Sequence, residues 1–164
     1  MNFMCKHIMR LKNTLYRRYK MLTWKFQYGD SLIAKKFHFR DNFHIYIEED
    51  GLLIIGENVF FNNNCSITTR KKITIGKNCI FGENVKIYDH NHKFKDTNKP
   101  IYQQGFSSEE VMIEEDCWIA SDVIILKGVH IGKHSVIGAG VVVYKNIPSH
   151  SVVICNQNLK YYNE

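Results

Sequence analysis

The sequence is poor in proline and has no long apolar run. Its 164 residues hold two prolines, Pro100 and Pro148. No stretch approaches the roughly 20 apolar residues of a membrane-spanning helix. Five cysteines are present and none forms a CxxC pair, so the commonest spacing of redox and zinc motifs is missing. Acids are missing from one end. Residues 1–40 carry ten Lys/Arg against one acid, Asp30, a net +9, while residues 41–164 carry −3. The pI of 9.0 therefore describes the head and not the body, which argues against a nucleic-acid binder. Lys6, Arg10, Lys12, Arg17 and Arg18 interrupt the first apolar residues. No secretory signal is read there, and the expected location is the cytoplasm. A hydrophobic content of 45% suits one domain with a real core.

What is present is a count of six. Ile113, Ile119, Ile125, Ile131, Ile137 and Val143 stand six apart. Four residues after each comes Cys117, Val123, Val129, Ser135, Val141 or Ile147. An earlier series, Ile55, Phe61 and Ile67, skips two residues and resumes at Ile75, Phe81 and Ile87, with partners Val59, Cys65, Cys79 and Val85. A period of six is neither helical nor simple alternation. It is the signature of a hexapeptide β-helix, in which three short strands close a triangular coil and coils stack. Small residues after the aliphatics (Ala120, Gly132, Gly138) suit tight corners. The prolines fall where no ladder needs their missing N–H. Cys65, Cys79 and Cys117 fall at inward positions and read as small apolar fillers in a reducing compartment.

The count fails between residues 88 and 112, which predicts a loop thrown out of the stack. Residues 3–26 lack Gly and Pro and mix apolar with basic residues, which predicts an amphipathic helix ending near Gly29. Residues 31–47 read as an irregular first coil. The expected organisation is a basic helical segment over 1–30, a β-helix over 31–154 and a short tail over 155–164. The helix has two readings: it lies on an anionic membrane surface, or, the favoured one, it docks on the body and covers the first coil's open edge.

The stretches "IGENVFFNNNCSI", "ITIGKNCIFGENVKIYDHNH" and "CWIASDVIILKGVHIGKHSVIGAGVVVYKNIP" resemble the hexapeptide-repeat acetyltransferases, in the galactoside, maltose and capsular-polysaccharide O-acetyltransferase branch. The resemblance runs from about Gly56 to Val153. It implies a left-handed parallel β-helix, a hand the period alone does not fix and the general crossover rule disfavours. It also implies a homotrimer, acetyl-CoA as co-substrate, a sugar or glycan acceptor, and sites between subunits. No metal is expected.

In such enzymes the extruded loop carries a catalytic histidine. Counted without gaps from Ile87, that position is His92. The chemistry needs such a group: removing a hydroxyl proton near neutral pH suits imidazole, and the acyl group can pass directly from thioester to hydroxyl. The same register makes Asn62 an acceptor-binding residue, with Asp89 and His90 as further candidates at the acceptor. Asp89, read from spacing alone, is more simply a solvated turn carboxylate. The resemblance implies cofactor contacts from Trp118, Ser121, Ala139, Tyr144 and Lys145. Two departures stand out. Thr69-Arg70 replaces two acids of the galactoside branch, so a simple galactoside is not the expected acceptor. The end, "VVICNQNLKYYNE", lacks the usual small turn, proline and basic tail. Other readings stay open: N-acetylation of an amino sugar or of a xenobiotic such as streptogramin, a zinc enzyme of the carbonic-anhydrase type, and a non-catalytic scaffold.

Overall fold

The computed structural model describes residues 3–156, with side chains from residue 13 onward. Among these residues one α-helix, Phe3–Tyr28, is followed by a β-helix of about six coils. The strands form three parallel faces. The first holds Leu32–Ala34, Leu52–Ile55, Lys72–Ile75, Val111–Ile113 and His130–Ile131. The second runs from His38–Phe39 to Val152–Val153, and the third from His44–Ile47 to Val142–Val143. Each coil bonds to the next in fixed register, with Ile55 opposite Ile75, Ile75 opposite Ile113, and Ile113 opposite Ile131.

The inward positions are those the count of six picks out. The two aliphatic and aromatic series from Ile55 to Val143 are all buried, as are Cys65, Cys79, Cys117 and Ser135. Fully burying a side chain of this size is worth about 1.5–3 kcal/mol, and the stack repeats that gain in every coil. Phe43, Phe61 and Phe81 stack at 4.5 and 4.4 Å between ring centroids. The three inward thiols donate to carbonyl oxygens of Gly82, Glu114 and Gly132, and burial raises the Cys65 pKa.

The corners differ from the expectation about glycine. The left-handed turn residues are mostly asparagine and aspartate: Asn58, Asn64, Asn78, Asn84, Asp116 and Asp122 all have φ near +60°. Their short polar side chains tolerate this region and bridge from coil to coil, as Asn84 does to Asp122 at 2.6 Å. His134 and His150 occupy equivalent positions and stack on each other. Gly56, Gly76, Gly82 and Gly132 serve close approach instead. A Cβ on Gly76 would lie 2.6 Å from the Glu115 backbone nitrogen of the next coil. Gly76→Ala is therefore expected to lower stability by about 1–3 kcal/mol, read as a shift in the urea midpoint with an unchanged slope.

The helix lies against the first coil. Trp24 is buried, its ring 5.2 Å from Phe39 and 5.7 Å from Phe43, and Tyr28 Oη donates to the Ile45 carbonyl at 2.9 Å. The helix thus covers apolar rings that an open coil end would leave in water. Gly29, at φ +52°, ends it. The tail residues from 157 onward, including Gln157 and Lys160, lie outside the described residues.

Candidate active site

The corner between the third and first faces gains residues in successive coils. Glu48–Gly51 occupy it in the first coil, Arg70 and Lys71 in the second, and residues 89–110 in the third. The third excursion leaves the stack undisturbed, since Ile80 N still donates to Cys117 O at 2.9 Å and Lys86 N to Val123 O at 3.0 Å. It forms a hairpin in which His90–His92 pairs antiparallel with Phe106–Ser108 and His92 lies opposite Phe106. Gln104 ties the outer part, accepting from Asp96 N at 3.0 Å and donating to the Asp96 and Lys99 carbonyls at 2.8 Å.

Asp89 anchors the hairpin and corrects the expectation of a solvated turn carboxylate. It is fully buried. Thr69 Oγ1 donates to it at 2.6 Å, Arg70 N at 2.9 Å and Lys71 N at 2.8 Å. His90 Nδ1 lies 2.9 Å from Oδ1, the oxygen that also accepts from Arg70 N, while Thr69 and Lys71 bond Oδ2. A carboxylate only accepts, so Nδ1 carries the proton in this contact. Burial raises the Asp89 pKa, but the Thr69, His90 and backbone donors outweigh it and hold the carboxyl below its usual range. With both oxygens engaged, Asp89 has none to offer an acceptor.

Phe106 is the meeting point of the site. The Arg70 guanidinium lies 3.6 Å over its ring, and the His92 and His90 rings are 4.4 and 5.4 Å away. Arg70 also pairs with Glu48 and Glu49, which occupies its charge. His92 is exposed and lines a cleft of about 550 Å³ with Asn91, Lys93, Gln103, Ser107 and Lys127. Lys127 pairs with Glu109 at the hairpin's base. The sequence marks Thr69 and Arg70 only as a departure from the galactoside branch, and Phe106 not at all. The signal for the first two was the two-residue skip between Ile67 and Ile75.

One chain does not bring all the candidates together. His90 and His92 leave the corner between the third and first faces, and Tyr144 and Lys145 sit at the same corner two coils further on. Lys145 Nζ lies 5.5 Å from the Tyr144 ring centroid, and both residues are exposed. Asn62, Ser121 and Ala139 lie at the corner between the second and third faces. There Arg40 donates to Asn62 Oδ1 at 3.2 Å and Ser121 Oγ accepts from Glu83 N at 3.1 Å. Trp118 projects from the second face, half exposed. His130 and His134 face outward and pair with Glu114 and Asp116. Among the described residues no group of three or more His, Cys, Asp or Glu could hold a metal ion.

A model of the bacterial transferase hexapeptide (six repeats) family matches residues 110–145. Galactoside O-acetyltransferase of Lactococcus lactis subsp. lactis is 39% identical over 98 residues, 59% of this chain and 46% of the relative. The chain spans about half the length of the curated relatives it matches. Among solved structures, a maltose O-acetyltransferase from Clostridium difficile 630 matches with a TM-score of 0.67 and 31% identity, covering 90% of this chain and 78% of that one. A hexapeptide-repeat containing acetyltransferase from Vibrio cholerae, in complex with acetyl coenzyme A, matches with a TM-score of 0.64 and 27% identity over 74% of this chain and 64% of that one.

Proposed function

The chain belongs to the hexapeptide-repeat acetyltransferases, and from that premise we propose that it moves an acetyl group from acetyl-CoA to a hydroxyl of a sugar or glycan, with His92 as general base. The observation that carries the reading is the hairpin. A fully buried carboxylate and an arginine–phenylalanine contact fix its base, and it presents an exposed imidazole at a cleft. A positioned base of this kind contributes roughly 10²–10⁴-fold.

In the reaction, His92 takes the acceptor hydroxyl's proton as its oxygen attacks the thioester carbonyl. The tetrahedral intermediate collapses, the C–S bond breaks, and the imidazolium returns the proton to the departing thiolate. A backbone N–H near Ser121 is the candidate donor to the oxyanion. Ser121, Ala139 and Trp118 would line the pantetheine arm, with Tyr144 and Lys145 near the nucleotide, where a Lys meets phosphate as a point charge. Asn62 would hold the acceptor. Because Asn62, Ser121 and Ala139 sit at a different corner from His92, the complete site is proposed to form between neighbouring chains of a homotrimer, one supplying each corner. Thr69-Arg70 turns inward toward Asp89 and toward Glu48 and Glu49 in place of the two acids of the galactoside branch. This supports an acceptor other than a simple galactoside.

The test is thiol release from acetyl-CoA across a panel of mono- and oligosaccharides, amino sugars included. Acceptor-dependent release, with a product acetyl group cleaved by mild base, is expected. Release only with amines would redirect the proposal to N-acetylation. Acetyl-CoA binding without release from any acceptor would sink catalysis on free sugars and amines.

A further inference from the structure

The helix has two apolar faces, and the fold uses only one. Trp24 faces the first coil and is buried, with Tyr16, Met21 and Tyr28 packed beside it. About half a turn round the helix, at roughly 100° per residue, Leu15, Tyr19, Leu22 and Phe26 form a second stripe. They are 65%, 63%, 69% and 95% exposed. In the sequence the same spacing continues backward through Leu11, Ile8 and Met4. Four exposed apolar side chains in one row, Leu15 to Phe26, are not the scatter of single apolar residues that surfaces normally carry.

The charges beside it select the occupant. The helix sequence contains Lys6, Arg10, Lys12, Arg17, Arg18, Lys20 and Lys25 and no Asp or Glu. Arg18 and Lys25 are exposed at one margin of the stripe. Arg17 and Lys20 turn elsewhere, toward His38 and over the Trp24 ring. Two such helices pairing through their stripes would bring like charges together with no acid to offset them. An anionic lipid surface offers both what the stripe and what the flanks require: an acyl boundary for Leu15, Leu22 and Phe26, and phosphates for Arg18 and Lys25. No helix among the described residues is long and apolar enough to cross a membrane, so the contact is one lying in the interface.

We propose that the outer face of the helix, Leu15, Tyr19, Leu22 and Phe26 flanked by Arg18 and Lys25, docks the protein on anionic membranes while its inner face caps the β-helix. The two sequence readings of the head are thereby complementary. Trp24 joins the helix to the first coil, so docking would set the β-helix end-on to the lipid and hold the hairpin a fixed distance above it.

The experiment is flotation of the full chain with vesicles of phosphatidylcholine alone and of phosphatidylcholine mixed with phosphatidylglycerol. The protein is expected to float only with the mixed vesicles and to be released by high salt. The triple variant Leu15→Gln, Leu22→Gln, Phe26→Gln should lower the bound fraction at least tenfold, and Arg18→Gln with Lys25→Gln should lower it less. Native mass and far-UV circular dichroism should stay unchanged in both. Failure of the wild type to float with anionic vesicles would overturn the proposal. So would equal binding by the triple variant, because charge alone would then account for it. A changed native mass in the triple variant would also overturn it, by showing that the stripe joins chains to one another.

Discussion

His92→Ala is expected to lower acetyl transfer by about 10²–10⁴-fold at saturating acetyl-CoA, with acetyl-CoA binding unchanged by calorimetry. The size follows from the chemistry. A sugar hydroxyl holds its proton at neutral pH, and without a base the attacking oxygen stays a poor nucleophile. The split between rate and binding follows from position, since His92 lies on the hairpin while the residues assigned to the cofactor lie on the coils. His90→Ala is the control that gives the result its meaning. His90 is also on the hairpin, but its side chain is mostly buried and its Nδ1 is engaged by Asp89, so it is expected to hold the hairpin's base rather than act as the general base. A smaller loss is expected for it. Full activity in His92→Ala, or a larger loss in His90→Ala, would move the base to His90.

Asp89→Ala is expected to cost about 3 kcal/mol of stability, because it strands the Thr69 hydroxyl and the Arg70 and Lys71 N–H groups that the carboxylate now accepts from. Asp89→Asn keeps the shape but places an NH₂ among donors, and an intermediate loss is expected. The pH dependence has a definite sign. The carboxyl is held below its usual range when folded, so its contribution is complete above the ordinary aspartate pKa of about 3.9. It fades as the pH falls through that value toward the lowered folded one. Urea midpoints measured from neutral pH down to about pH 3 should therefore fall more steeply for the wild type than for Asp89→Asn. Parallel curves would show that the buried carboxylate contributes nothing through its charge. Because the hairpin leaves the stack at Asp89, both variants should also lose activity in proportion to how far His92 is displaced, a coupling to which geometry at a reacting centre is sensitive.

The β-helix was legible because its rule is local. Each inward residue faces the same surroundings as the one six positions later, so one chemical requirement repeats along the chain and shows in the sequence. Ile113 to Val143 could be assigned inward from their spacing alone, and Cys65, Cys79 and Cys117 with them. The helix was legible for a similar reason, in its lack of Gly and Pro over residues 3–26 and its end near Gly29. Its second apolar stripe was also present in the spacing, but only the buried Trp24 shows which face the body takes and which is left over. The left-handed corners were misread. Glycine is the residue expected at such turns, and Gly128 and Gly140 do make two of them, but most are made by asparagine or aspartate three residues after the inward aliphatic, while Gly56, Gly76, Gly82 and Gly132 yield space to the neighbouring coil.

Asp89 could not be placed from the sequence. The groups that decide its environment, Thr69, Arg70 and Lys71, are about twenty residues away and become its neighbours only because coils stack. The same stacking turns Arg70 toward Glu48 and Glu49 of the first coil's turn and Phe106 of the hairpin. It also sets Asn62, Ser121 and Ala139 at one corner and His92 at another. The sequence by itself determined the repeat, the core and the break that carries His92, because those depend on residues close along the chain. The tertiary structure decided which polar groups are buried, which charges are already paired and which candidates share a corner, because those depend on contacts between coils that no local pattern records.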